Sequence, residues 1–247
     1  MRSSLPPSRP GPSARLIELD GLRGLAAAVV VIHHCLLTVP TFARIGARPG
    51  VVPEEPAARI LTQTPLHLLW AGHEAVLIFF VLSGTALVYP VARRHAQRRR
   101  FDWVDYVPRR IVRLWLPAAA STALAVALMM LVPRSTDASL GPWMTQAHPA
   151  GLSLRHLLLE LALQPRYAYR NTVLWSLHAE AVFSFLLPLV VLVVALAARS
   201  RAWWLPAAAC LAVPAVTGDT RALVYVPVFV LGATAGWRWG HLDAVAP

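Results

Sequence analysis

This sequence predicts an all-α fold, a polytopic bundle of transmembrane helices, and three observations carry the prediction. It is 57% hydrophobic and only 14% charged, with a mean hydropathy of +0.54, whereas a soluble domain has about a quarter of its residues charged. The apolar residues gather into six stretches, most of them long enough to cross a bilayer. The basic residues, 23 arginines and no lysine, mostly stand beside those stretches.

A hydrocarbon core of about 30 Å takes roughly 20 helical residues. Residues 1–15, "MRSSLPPSRPGPSAR", are Pro/Ser-rich and basic, and are expected to form a disordered cytoplasmic tail. The first span is Leu22–Val39. A basic stretch before an apolar one also has the form of a cleaved signal peptide, but Glu18 and Asp20 before the run and His33 and His34 within it favour a retained span. Leu66–Tyr89, Ile111–Val132 and Thr172–Ala198 are the next three. Trp203–Val216, short and broken by Pro206 and Pro214, is the weakest; Ala222–Trp239 is the sixth, followed by a tail over residues 241–247. The segment Leu152–Leu163 places leucines at helical spacing around Arg155, His156 and Glu160, and is too short to cross. It is expected along the interface. Residues 16–240 are read as one membrane-embedded domain.

The connection over residues 91–110, "VARRHAQRRRFDWVDYVPRR", holds seven arginines and belongs on the cytoplasmic side. Alternation then puts both ends of the chain inside, in a multi-pass protein of the cell membrane. The net charge of +11 follows from this orientation, and without aromatic interleaving it does not indicate nucleic acid. Cys35 and Cys210 sit in apolar runs and offer neither a disulfide framework nor metal-ligand spacing.

Ionisable groups inside spans are costly and mark function. Arg23 and His34 lie eleven residues apart on the first span, about 16 Å along it and only about 20° around it. With alternating direction, His73 and Glu74 on the second span and His178 and Glu180 on the fourth fall about 9–12 Å below the outer surface, near the depth of His34. Arg23 and the i, i+3 pair Arg110 and Arg113 form a basic floor beneath. Such arginines suit bidentate phosphate recognition, whereas Arg93–Arg100 fit headgroup anchoring. The pattern suits an anionic donor arriving from the cytosol and proton transfer deeper in the membrane. A proton-coupled transporter would also use a His/Glu layer, but no inverted repeat is visible between the halves.

"LDGLRGLAAAVVVIHH", "FFVLSG", "RRIVRLWLP" and "WSLHAEAVF" occur in an order that resembles the acyltransferase type 3 family of integral membrane proteins. The resemblance covers about residues 16–240 and implies transfer of an acyl group, usually acetyl, from cytoplasmic acyl-CoA (acetyl-CoA) to a hydroxyl of an exported or cell-surface glycan. It implies acyl-CoA as co-substrate, no tightly bound cofactor and no metal. Carried over by position, the family's first-span arginine and histidine fall on Arg23 and His34, and its arginine pair on Arg110 and Arg113. Its Ser-Gly falls on Ser83 and Gly84, and its Trp-Ser-Leu…Glu on Trp175, Ser176 and Glu180. His34 is then the expected general base, Glu180 its orienting partner, and His33, about 100° around the helix, structural. Two departures stand out: Thr85 follows Ser-Gly where the family has an aromatic, and Leu77 and Ile78 replace an acidic residue, for which Glu74 one turn earlier substitutes. Family members carry more than six spans, so a C-terminally truncated and even catalytically inactive member is a further expectation.

Overall fold

Prolines and glycines decide where these helices begin and how closely they pack. The computed structural model describes residues 14–48, 50–132, 137–146, 153–164, 173–200, 204–205, 208 and 222–245. In chain order the helices are α1 (Ala14–Leu37), α2 (Pro40–Ala47), α3 (Pro56–Gln63), α4 (Gly72–Ala96), α5 (Trp103–Leu131), α6 (Gly141–Gln146), α7 (Leu154–Leu161), α8 (Leu174–Arg199) and α9 (Ala222–Val245), with short 3₁₀ turns at Pro65–Leu69 and Ala138–Leu140. Regular structure among the described residues is helical throughout. α2 and α3 both open on a proline, whose fixed φ and missing N–H suit a first turn.

Among the described residues, four helices are long and apolar enough to cross a membrane: Glu18–Leu37, Gly72–Ala96, Trp103–Leu131 and Leu174–Arg199. They correspond to the first four expected spans, but the first starts at Glu18 rather than Leu22, the second runs on to Ala96 rather than Tyr89, and the second and third start elsewhere than expected. The second starts at Gly72, not Leu66, because Pro65–Leu69 form a separate 3₁₀ turn that ends at Trp70. The third starts at Trp103, eight residues before Ile111, because the Asp102 carboxylate accepts the Asp105 amide at 3.0 Å and caps the helix there. The arginine-rich connection is therefore mostly helix: Arg93 and Arg94 close α4, while Arg109 and Arg110 lie inside α5. The expected sixth span is α9, which continues past Trp239 to Val245 through most of the expected tail, and the expected fifth, Trp203–Val216, lies almost wholly outside the described residues.

A core of Phe80, Phe183 and Phe229 joins α4, α8 and α9, with ring centroids 4.5 Å and 4.3 Å apart. Along α9, "GATAGWRWG" repeats glycine every fourth residue. A Cβ at Gly232, Gly236 or Gly240 would press on the carbonyl oxygen of Val81, Thr85 or Tyr89 in turn. The constant offset means that α4 and α9 run parallel, backbone against backbone, as small residues at every fourth position allow in a membrane. Thr85 secures the seam, its hydroxyl donating to the Gly232 carbonyl at 3.0 Å. Trp175 beside Tyr225 and Phe183 on Phe229 show α8 parallel to α9, so Arg199 and Ala222 stand at opposite ends of the bundle. α5 runs against α8, pairing Ala118 with Leu174 at one end and Arg110 with Ser184 further along.

The segment expected to lie along the interface turns inward. Trp115 Nε1, twelve residues into α5, donates to the Leu161 carbonyl at 3.0 Å, and Leu163 is buried beside Ala118 and Leu174. α7 therefore docks on the middle of α5, carrying Glu160 to 1% exposure.

Candidate functional site

Four helices meet at one polar junction. The Arg110 guanidinium on α5 pairs with the Glu180 carboxylate on α8, side chains only 13% and 21% exposed. Its Nε donates to Ser184 Oγ at 3.3 Å. From α4, the Ser83 hydroxyl donates to the same Glu180 oxygen at 3.3 Å. One residue earlier, the Leu82 carbonyl accepts from Arg23 Nη2 of α1 at 3.2 Å, while Nη1 pairs with Asp20 at 3.0 Å. A charged pair inside a membrane helix bundle needs further hydrogen-bond partners, and each serine supplies one, Ser83 to the carboxylate and Ser184 to the guanidinium. Ser184, not singled out from sequence, is one turn beyond Glu180 and reaches back to its carbonyl at 2.7 Å.

His34 is not part of this junction, and the expected His34–Glu180 pair is not formed: Arg110 and Ser83 take the carboxylate. His34 Nδ1 lies 2.8 Å from the Val30 carbonyl, and its ring stands edge-on to Trp143 of α6 at 5.6 Å. His33 stacks on Trp70 at 5.5 Å and bonds its carbonyl at 2.7 Å, packed so tightly on Gly72 that a Cβ there would strike the ring. This ties the histidines to the top of α4, beside His73 and the exposed Glu74. Ser83 is nine residues below Glu74, about 13 Å. The expected single His/Glu layer is thus two levels. The reason lies in the depth of α8: Ser83 is eleven residues into α4 and Glu180 six into α8, so α8 begins about 7 Å lower.

The other motif residues serve the bundle. Gly84 faces α9, where a Cβ would collide with the Phe229 carbonyl. The Trp175 ring packs on Tyr225 and Phe80 at 5.4 and 6.2 Å, and Ser176 Oγ donates to the Val173 carbonyl at 2.9 Å in the first turn of α8. Arg113 is exposed and does not share the buried pairing of Arg110, although both line one cavity.

Two cavities adjoin at Arg110 and Tyr106. One, of about 270 Å³, is lined by Arg94, Arg109, Arg110 and Arg113 with Asp102 and Asp105 among them, so its wall is net basic. Arg94 lies over the Phe101 ring at 5.4 Å, and Arg109 pairs with Asp105 at 2.8 Å. The other is a chamber of about 360 Å³ between α5, α7 and α8, walled mainly by apolar side chains such as Ile111, Leu114 and Ala181, with His178 and Ser184 among its polar groups. Tyr106 lines both, and its buried hydroxyl has no hydrogen-bond partner among the described residues. Sequence reading missed Tyr106 and assigned Arg94 to headgroups. The available signal was spacing, since Tyr106 precedes Arg110 by one turn.

Residues 16–241 match the acyltransferase domain family of type 3. The chain is also 35% identical over 118 residues to the O-acetyltransferase PaAT-1 of Phomopsis amygdali, a match covering 46% of this chain and 22% of that protein. No solved structure matches. With the match running from the first span through most of α9, the chain belongs to the acyltransferase type 3 family.

Proposed function

We propose that the protein is an integral membrane O-acyltransferase, carrying an acyl group, acetyl in the simplest case, from cytoplasmic acyl-CoA to a hydroxyl of an exported or cell-surface carbohydrate. The observation that carries this reading is the Arg110–Glu180 junction, set in a chain of this family where a basic cavity adjoins an apolar chamber. The arginines of the cavity suit the donor's phosphates, which they can grip bidentately. Glu180, by holding Arg110, keeps one of those guanidinium groups in place.

In the reaction the acceptor oxygen attacks the thioester carbonyl carbon. A C–O bond forms and the C–S bond breaks. The hydroxyl proton passes to a base and from it to the departing sulfur. A hydroxyl is a weak nucleophile at neutral pH, so the base must act as attack occurs. Family resemblance assigns the base to His34. The carbonyl of Val30 can only accept, so Nδ1 of a neutral His34 carries the proton and Nε2 keeps its lone pair. That tautomer is the one a general base needs. Arg23, about 16 Å closer to the cytoplasm, leaves room for the donor's arm between phosphates and thioester. A second reading gives the base to His178, because its ring lines the chamber that adjoins Arg110, whereas His34 faces Trp143.

CoA release by membranes carrying wild type, His34→Gln, His33→Gln and His178→Gln tests both. His34→Gln should lower kcat by about 10²–10⁴-fold, the usual worth of general-base catalysis, with donor KM nearly unchanged and His33→Gln much milder. Near-normal turnover in His34→Gln with loss in His178→Gln would move the base to His178. Absence of acyl transfer by wild type to any carbohydrate acceptor would instead favour a transporter.

A further inference from the structure

At the arginine-rich end of the bundle, α4 and α9 remain in backbone contact, with Gly240 on the Tyr89 carbonyl. Between their ends and the last turns of α8 open two spaces of about 780 and 490 Å³, which meet at His95 and His241 to form one groove. The foot of the groove is apolar: Val191, Ala195 and Trp237 belong to the central core or pack against it. Its rim is basic, with Arg98, Arg99 and Arg100 in one space and Arg199 and Arg238 in the other, and among the described residues no acidic side chain lines either. Arg98, Arg99, Arg100 and Arg199 form no ion pair with a described residue. Asp243, two residues past His241, is already held by Tyr89 and Arg93. From Val191 to Arg199 the groove follows eight residues of α8, about 12 Å. The backbone also presents one of these arginines under strain. α4 closes with the Arg99 amide on the Arg94 carbonyl at 2.8 Å and the Arg98 amide on the His95 carbonyl at 3.0 Å, a pattern whose left-handed position is usually glycine. Here that position is Arg98, at φ +56°, and strain kept at such a residue points to a use for its side chain.

We propose that this groove binds one anionic phospholipid from the leaflet at that end of the bundle, its phosphate among Arg98, Arg99 and Arg199 and an acyl chain along Val191 and Ala195 of α8. Diffuse headgroup attraction needs only arginines near the surface. A groove with an apolar foot on the core and an all-basic rim fits, in addition, the glycerol and the first methylenes of one chain. Inorganic phosphate would leave the apolar foot in water. A zwitterionic lipid would bring its own cation in among the arginines. The proposal does not depend on the acyl-CoA reading, because the groove shares only Phe101 with the donor cavity and none of its arginines.

Native mass spectrometry of the full chain, released from bilayer discs, counts the lipids that stay bound. Wild type should retain one phosphatidylglycerol, and phosphatidylcholine at least about tenfold less, as several arginine contacts together imply. Arg99→Gln and Arg199→Gln should each lower phosphatidylglycerol retention by about three- to tenfold, the worth of one arginine beside an anionic headgroup. Arg109→Gln, an equal loss of charge in the donor cavity, should leave it unchanged. Ala198→Trp fills the groove from an exposed position and should expel the lipid with no change of charge. Arg98→Gly should act in two opposite directions. Relief of the left-handed residue should raise Tm in phosphatidylcholine discs by about 1–3 °C, while phosphatidylglycerol retention falls. Equal loss of lipid in Arg109→Gln and Arg99→Gln would make the attraction diffuse and overturn the groove. Equal retention of the two lipids by wild type, full retention in Ala198→Trp, or displacement of the lipid by excess inorganic phosphate would overturn it too.

Discussion

Replacing Gly84 with alanine should loosen the bundle at the core of the protein. A Cβ at this position would approach the Phe229 carbonyl oxygen closer than 3.0 Å and sit 3.0 Å from the Ala233 amide nitrogen. Both atoms are backbone, so no side chain can swing aside, and α4 and α9 must part. Because Gly232, Gly236 and Gly240 lie on the same seam, separation at Gly84 thins contacts along much of α9. A gap of about 0.5–1 Å already forfeits a quarter to a half of each dispersion contact. Overpacking of this kind costs about 1–3 kcal/mol, and backbone against backbone belongs at the upper end. Alanine returns about 0.5–1 kcal/mol through its better helix propensity, leaving a net loss of about 2 kcal/mol. For a chain of this size that is a fall of about 4–8 °C in Tm. The 3.3 Å bond from the neighbouring Ser83 to Glu180 should stretch with it. Thermal unfolding in bilayer discs is the assay, with Gly21→Ala as control, where a Cβ meets nothing within 4 Å. If Gly84→Ala proves as stable as Gly21→Ala, the parallel glycine seam is wrong.

Arg110→Gln alone should cost about 3 kcal/mol because it strands Glu180 in the bundle; Arg110→Gln with Glu180→Gln should cost much less than the sum of the singles. Strict additivity in that cycle would mean that the two side chains do not act as a pair. Arg113→Gln should raise donor KM by about tenfold or more, as expected for one lost charge-assisted phosphate contact, with only partial rescue by lysine because the planar fork is gone; an unchanged KM assigns Arg113 to lipid headgroups. Cysteines placed at Gln97 and Met144 should label from opposite sides of the membrane, that at 97 only after permeabilisation. Equal labelling of both in intact cells would refute the orientation drawn from the arginines.

The all-α membrane architecture, the first four apolar helices and the family were legible from residue order alone. Hydropathy and helical period are local properties, and four motifs on successive apolar runs survive whatever the helices later pack against. Helix starts were less legible: Asp102 as a cap and Pro65 as a break act through backbone hydrogen bonds, which hydropathy does not register. The meeting of side chains was the tertiary structure's to decide. Depth counted from the presumed membrane surface put His34 level with Glu180, but α8 starts lower than α4 and its carboxylate goes to Arg110 and Ser83. That offset goes with where α8 packs against α5 and α4. Likewise the Ser-Gly motif divides, Ser83 facing the ion pair and Gly84 the neighbouring backbone, because adjacent residues on a helix point about 100° apart. A sequence fixes what each residue can offer; the register between helices, set by steric fit along α4 and α9, determines which offers meet.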